Sequence, residues 1–236
     1  MLRMPYIHIE GGFYYVTICS DNDEEIFKDA EDYQAYLNLL KKYKEQYGFK
    51  LFAFVLLPNH LCLLIELKEK VTLSDIMHDL NGNYSKYFNK KYGLRGHLFQ
   101  ERYKMNLMEK TLYLIYMSAY IHFYPQWLNL VSNANYSYSS YPLYLYYSGF
   151  NGNSINTKPE LFGFDVGIKQ EIMEVLSELV ERNYANYLGC VSREEIRFFA
   201  KQLKKEIVLG SQKFREAVRL KMETHCQEKF QQEITS

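Results

Sequence analysis

Two apolar runs in the first half of the sequence, separated only by Pro58 and Asn59, limit the possible folds more than any other feature. The runs cover residues 49–57 and 60–67, and each has the length of a β-strand. Proline and asparagine interrupt strands and are typical of tight turns. The pattern therefore predicts two adjacent strands joined by a short turn.

The rest of the first half alternates between strand-like and helix-like patterns. The strand-like segments are rich in aromatic and β-branched residues, and the helical segments carry an apolar stripe at helical spacing. The order β-α-β-β-α-β-α predicts an α+β fold, with a ferredoxin-like antiparallel sheet (split βαβ) and an added tyrosine-bearing helix. The other predicted elements are strands at 11–20 and 96–108 and helices at 29–48, 72–92 and 110–124, the last ending before Pro125.

The composition changes around residues 132–160, where serine, asparagine, tyrosine, glycine and proline dominate, as in linkers. We therefore predict two domains, 1–148 and 149–236, the second of them all-α. Its last two helices form either a DNA-binding helix-turn-helix or a helical cap on the first domain. The predicted helices of this second domain are 168–187, 192–206 and 211–228.

The charges of the chain are unevenly distributed, although 28 basic residues balance 28 acidic ones. Residues 21–32 hold seven acids against one lysine, whereas residues 84–104 hold six bases against Glu101 alone. Aromatic side chains are interleaved with these bases, and basic clusters of this kind suit a nucleic-acid surface. The alternative is a solvated charged face over an aromatic-rich core.

Other classes of protein are disfavoured by what the sequence lacks. No apolar run approaches the roughly 20 residues of a membrane span, and the first residues do not resemble a signal peptide. The four cysteines are far apart and form no CxxC pair, so a disulfide framework or zinc ribbon is not expected. We predict a cytoplasmic protein without a membrane partner.

Two short segments carry side chains suited to chemistry or binding. His60 and Cys62 are two residues apart on a predicted strand, so they point to one face, where they either hold a metal ion or serve as core residues. Arg102 and Lys104 also share a face of a predicted strand. There they either contact backbone phosphates or guard an exposed sheet edge.

Four strings of the sequence, taken in order, resemble a known family. They are PNHLC from residue 58, GHLFQERYK from residue 96, YIHFYP from residue 120 and YSSY from residue 138. Together they resemble the REP-associated and related single-tyrosine transposases of the HUH class, over about residues 6–144. The nine-residue string is the most specific of the four.

The resemblance implies a nuclease that cleaves and rejoins single-stranded or hairpin DNA through a covalent phosphotyrosine. Tyr120 takes the position of the nucleophile, and His60 takes that of the first metal ligand. Cys62 and Tyr124 occupy the other two ligand positions. The cofactor implied is a divalent ion, Mg²⁺ or Mn²⁺. The DNA-binding residues that we predict are Lys86, Lys90, Lys91, Arg95, Gln100, Arg102, Tyr103 and Lys104.

Two ligand positions depart from the family pattern, which has histidine where this chain has Cys62 and asparagine where it has Tyr124. A thiolate with an imidazole favours Zn²⁺, whereas Mg²⁺ prefers hard oxygen ligands. The metal is therefore either exchanged or lost. Two functions remain open, an active transposase and a degenerate, domesticated DNA-binding protein. A third is a ferredoxin-like domain with no nucleic-acid role. We expect Tyr120 and His60 to open into one basic cleft. The sequence leaves open whether the protein is a monomer or a homodimer.

Overall fold

The computed structural model describes residues 9–20, 24–99, 102–131, 136–148, 167–179, 184 and 192–235. Its strands are β1 (Phe13–Cys19), β2 (Lys50–Leu57), β3 (His60–Glu66), β4 (Lys104–Met108) and β5 (Val208–Leu209). Its helices are α1 (Ala30–Tyr47), α2 (Leu73–Tyr92), α3 (Lys110–Trp127), α4 (Tyr141–Tyr147), α5 (Lys169–Ser177), α6 (Arg193–Lys205) and α7 (Gln212–Thr235). No helix of the described part is long and apolar enough to cross a membrane.

The two long helices of the first half begin and end where the sequence predicts. Asp29 accepts hydrogen bonds from the first turn of α1, and Thr72 does the same for α2. Gly48 and Gly93 follow these helices with φ of 67° and 66°, a left-handed conformation that glycine adopts without strain. Local side-chain chemistry therefore sets both ends of each helix.

The strands form one five-stranded sheet in the order β2-β3-β1-β4-β5. The first four strands pair antiparallel, as expected, but β5 pairs parallel to β4, so the sheet is mixed. The prediction of an all-α second half is wrong at this point, because Val208 and Leu209 extend the sheet. The fold is mixed α/β, and its finer ferredoxin-like topology and the domain boundary at 148 stay predictions.

Three predicted boundaries are also wrong. The strand predicted at 96–108 begins only at Lys104, where its pairing with Thr17 of β1 starts, although β1 itself continues to Cys19. Helix α3 continues past Pro125 to Trp127, although Pro125 has no backbone N–H to donate to the preceding turn. The expected linker contains the short helix α4, with the Tyr144 hydroxyl donating to the Phe52 carbonyl at 2.7 Å.

Candidate functional site

The structure brings together the four residues at which the sequence predicted chemistry. His60 and Cys62 lie two apart on β3, and Tyr120 and Tyr124 lie four apart on one face of α3. The ring of Tyr124 packs against the ring of His60 with centroids 5.2 Å apart, and against that of Tyr120 at 5.8 Å. The predicted proximity of Tyr120 and His60 is therefore present.

A fifth residue, Tyr15 on β1, completes this cluster and was missed in the sequence. Its hydroxyl lies 3.1 Å from the Cys62 sulfur, and its ring meets that of Tyr120 edge to face at 5.9 Å. The strand register pairs Tyr15 with Leu64, two residues from Cys62, so both side chains point to the face that α3 covers. The alternation of side chains along β1 was the sequence signal that could have placed Tyr15 on this face.

The cluster is closed rather than open. The rings of Trp127 and Phe199 pack edge to face on Tyr120 with centroids at 5.4 and 5.7 Å. Tyr120 is 5% exposed and Cys62 is 1% exposed. The expectation of an open cleft is therefore wrong, because an aromatic side chain from the second half of the chain covers the predicted nucleophile.

Helix α6, which carries Phe199, is fastened to the sheet. The side-chain amide of Asn106 on β4 donates to the carbonyls of Leu203 and Glu206 at 2.9 and 2.6 Å. The strand β5 separates α6 from α7. These contacts favour the helical-cap alternative over a helix-turn-helix with a free recognition helix.

Burial also sets the protonation of the cluster. It raises the pKa of the Cys62 thiol to about 12 and that of the Tyr124 phenol to about 12. It raises the pKa of Tyr120 well above its ordinary value of 10, and the nearby Cys62 and Tyr124 act in the same direction. All three groups are neutral at pH 7 in this arrangement, since a buried anion has lost its hydration.

The residues at the family's ligand positions do not fit a divalent metal ion. A thiol must lose its proton to become a metal ligand, and a neutral phenol is a weak donor. The Nδ1 atom of His60 forms a hydrogen bond with the Oδ1 atom of Asn59, at a distance of 2.7 Å. Within the described ranges, no group of three or more histidine, cysteine, aspartate or glutamate side chains is placed to hold a metal. Of the three positions, only His60 carries an ordinary metal-binding group, and its imidazole nitrogen suits Zn²⁺ better than Mg²⁺.

The predicted DNA-binding residues separate into two groups. Lys86 and Lys90 lie four apart on α2 and are exposed, as is Arg95 in the following loop. Lys91 instead contacts Asp29 and Asp32 at 2.7 and 2.9 Å and also pairs with Glu31. Its charge is therefore already neutralised by the acidic segment. Gln100 lies outside the described residues.

Arg102 and Lys104 do not share a strand face, because Arg102 lies before β4 and Lys104 is its first residue. Thr17 pairs with both Lys104 and Cys62, so Lys104 points toward the face that α3 covers. Arg102 and Tyr103 line a cavity beside α2. The two bases therefore border different surfaces.

A buried polar network lies behind the tyrosine cluster, and sequence reasoning did not predict it. The His122 Nε2 atom lies 2.7 Å from the Ser140 hydroxyl, and its Nδ1 atom lies 2.7 Å from the Tyr184 hydroxyl, which in turn donates to Ser118 at 3.0 Å. Burial lowers the pKa of His122 to about 3. The network joins the YIHFYP and YSSY strings, and its complete burial makes it structural.

Comparisons with known proteins agree with this geometry in part. The model of a family described as IS200-like transposases matches residues 10–123. No curated protein matches the sequence.

Two solved structures are similar. One is a REP-associated tyrosine transposase bound to a REP hairpin, with 20% identity and a TM-score of 0.53, covering 71% of this chain and 97% of the other. The second is a Deinococcus radiodurans protein assigned as a transposase, with 16% identity and a TM-score of 0.36, covering 49% and 94%. The first likeness shows a shared fold.

Proposed function

Residues 10–123 belong to the IS200-like transposase family, and on that premise we propose that the protein binds hairpin and single-stranded DNA without cutting it. The four antiparallel strands and their helices support a ferredoxin-like sheet as the scaffold. The similar fold of a transposase bound to a REP hairpin supports DNA as the partner. The protein would then be a transposase-like binding protein.

The observation that carries this proposal is the contrast between the exposed bases and the sealed chemical centre. Lys86, Lys90 and Arg95 are exposed, and the described residues between 84 and 104 include no carboxylate. In contrast, Tyr120 and Cys62 are buried and neutral. Phosphate neutralisation and base stacking require neither a metal nor a phenolate. Binding can therefore persist where cleavage has been lost.

Fluorescence anisotropy with a labelled hairpin oligonucleotide, repeated over a range of salt concentrations, tests the binding. Replacing Lys86 and Lys90 by alanine removes two phosphate contacts, and the slope of log K against log salt should fall by about 1.5. The matched control replaces Lys204 and Lys205, two exposed lysines of α6, and should leave the slope unchanged. Equal slopes in both double variants would contradict the proposed surface.

A second function, DNA cleavage, is favoured by one observation: His60 and Tyr120 contact the same Tyr124 ring. In that reaction the Tyr120 oxygen attacks phosphorus after losing its proton, the bond to the leaving strand breaks, and the leaving oxygen takes up a proton. The test is incubation with a hairpin oligonucleotide and Mg²⁺, Mn²⁺ or Zn²⁺ in turn. We expect no denaturation-resistant adduct. An adduct that disappears in Tyr120→Phe would establish the enzyme instead.

A further inference from the structure

Helix α7 carries apolar residues on two opposite sides. Phe214, Val218 and Met222 lie four residues apart and pack against the core, and Val218 is only 4% exposed. Leu220 lies on the opposite side of the helix and is 68% exposed, more than any other large apolar side chain in the described structure. A helix that is apolar on both sides is typical of one buried between two partners. The body of the protein supplies one of them.

The side of α7 that carries Leu220 continues to the end of the helix. Thr224, Gln227, Gln231 and Ile234 fall within about 40° of Leu220 around an ideal helix of 3.6 residues per turn. Leu220, Gln227 and Ile234 are seven residues apart, the spacing typical of a helix that packs along another helix. Residues 220–234 span about 21 Å, which is four turns. This side therefore suits a second helix as its partner.

The two halves of α7 carry opposite charges. Residues 212–222 contain four bases and one acid, whereas residues 223–235 contain three acids and one base. Arg215 already pairs with Glu206 at 3.0 Å, but the first half keeps an excess of positive charge without it. Two antiparallel copies of α7 therefore place opposite charges beside each other, whereas two parallel copies place like charges together.

We propose that α7 pairs antiparallel with α7 of a second copy of this chain, so that the protein is a homodimer. With the two-fold axis near Gln227, position 220 of one copy lies beside position 234 of the other. Position 221, a lysine, then lies beside position 233, a glutamate, and the axis repeats this pair. A glutamine amide both donates and accepts hydrogen bonds, so it suits a position on the axis.

The composition of this side sets the strength of the pairing. Leucine and isoleucine alternate with polar residues, so the apolar area is small and the dimer is weak and dependent on concentration. The charge pairs are exposed, so they fix the direction of the helices more than they add affinity. The inference goes beyond the proposed DNA binding and does not depend on it.

Light scattering after gel filtration, at total protein concentrations from about 1 to 100 µM, measures the dimer. Wild type should shift from monomer towards dimer over this range. Leu220→Asp places a carboxylate from each copy in the interface and should lower the association constant at least about tenfold. Phe198→Asp is the matched control, because Phe198 is 65% exposed on α6, and it should dimerise as wild type does.

Disulfide cross-linking tests the direction of the helices. The background is Cys19→Ser, Cys190→Ser, Cys226→Ser, which leaves only the buried Cys62. Leu220→Cys and Ile234→Cys proteins are mixed in this background and treated with oxidised glutathione, which is reduced as the thiols form a disulfide. Mass spectrometry of the peptides should show position 220 joined to position 234.

Three results would overturn the proposal. They are a wild type that stays monomeric at 100 µM, a dimer that Leu220→Asp leaves as strong as before, and cross-links that join position 220 to position 220. Hairpin binding is measured separately by anisotropy, so failure of the α7 dimer would leave the proposed function intact.

Discussion

Acid should destabilise this protein through His122, the buried imidazole that lies between Ser140 and Tyr184. Burial lowers the pKa of His122 from 6.5 to about 3. The unfolded chain therefore binds a proton as the pH falls through 6.5, whereas the folded protein does not. Stability contributed by the neutral imidazole is present above pH 6.5 and is lost progressively between pH 6.5 and 3.

The size of the effect follows from the two pKa values. Each pH unit well below 6.5 costs about 1.4 kcal/mol, so the loss between pH 7 and pH 5 is about 2 kcal/mol. This is a substantial part of the 5–15 kcal/mol that stabilises a typical domain. His122 is completely buried, so solvent does not reduce the effect.

Urea unfolding followed by circular dichroism at several pH values between 7 and 5 measures this loss. His122→Gln is the matched variant, because an amide can hydrogen-bond to the same neighbours but does not titrate. It should be less stable than wild type at pH 7, and its stability should fall about 2 kcal/mol less between pH 7 and 5. Other titrating groups are common to both proteins and cancel in the difference. Parallel pH profiles for the two proteins would refute the reasoning.

Three further predictions concern the closed cluster and the sheet. Asn106→Leu removes two hydrogen bonds that hold α6, so it should lower the free energy of unfolding by about 2 kcal/mol. It should also speed amide hydrogen exchange in residues 193–205, and unchanged exchange there would contradict the role of Asn106. In a Cys190→Ser, Cys226→Ser background, a thiol reagent should modify the exposed Cys19 quickly and the buried Cys62 only after unfolding, as mass spectrometry of the peptides would show. Both edge strands of the sheet offer little free length for pairing, because β5 is only two residues long and β2 is bridged to Ser139 at Val55, so two copies should not pair through the sheet. Light scattering with cross-linking tests this, and a dimer cross-linked through β2 or β5 would argue against it.

Features set by near neighbours in sequence could be predicted. The caps at Asp29 and Thr72 and the glycines after α1 and α2 act within one turn, so both helices were placed correctly. The hairpin around Pro58 follows from two apolar runs of strand length. The shared face of His60 and Cys62 follows from strand alternation alone.

Features set by distant partners could not be predicted. The start of β4 depends on where its pairing with the distant strand β1 begins, and β5 is only two residues long, too short to leave a pattern. Likewise, no local signal connects His122 with Tyr184.

The sequence by itself determined the order of the main elements, the resemblance to a transposase family, and which residues stand at the nucleophile and ligand positions that the resemblance implies. It could not determine whether those positions are accessible. Tertiary structure decided that, because Phe199 packs over Tyr120 and the sheet buries Cys62 against Tyr15. Solvent exposure and the pKa of a side chain depend on all the atoms around it, and most of these atoms come from remote parts of the chain.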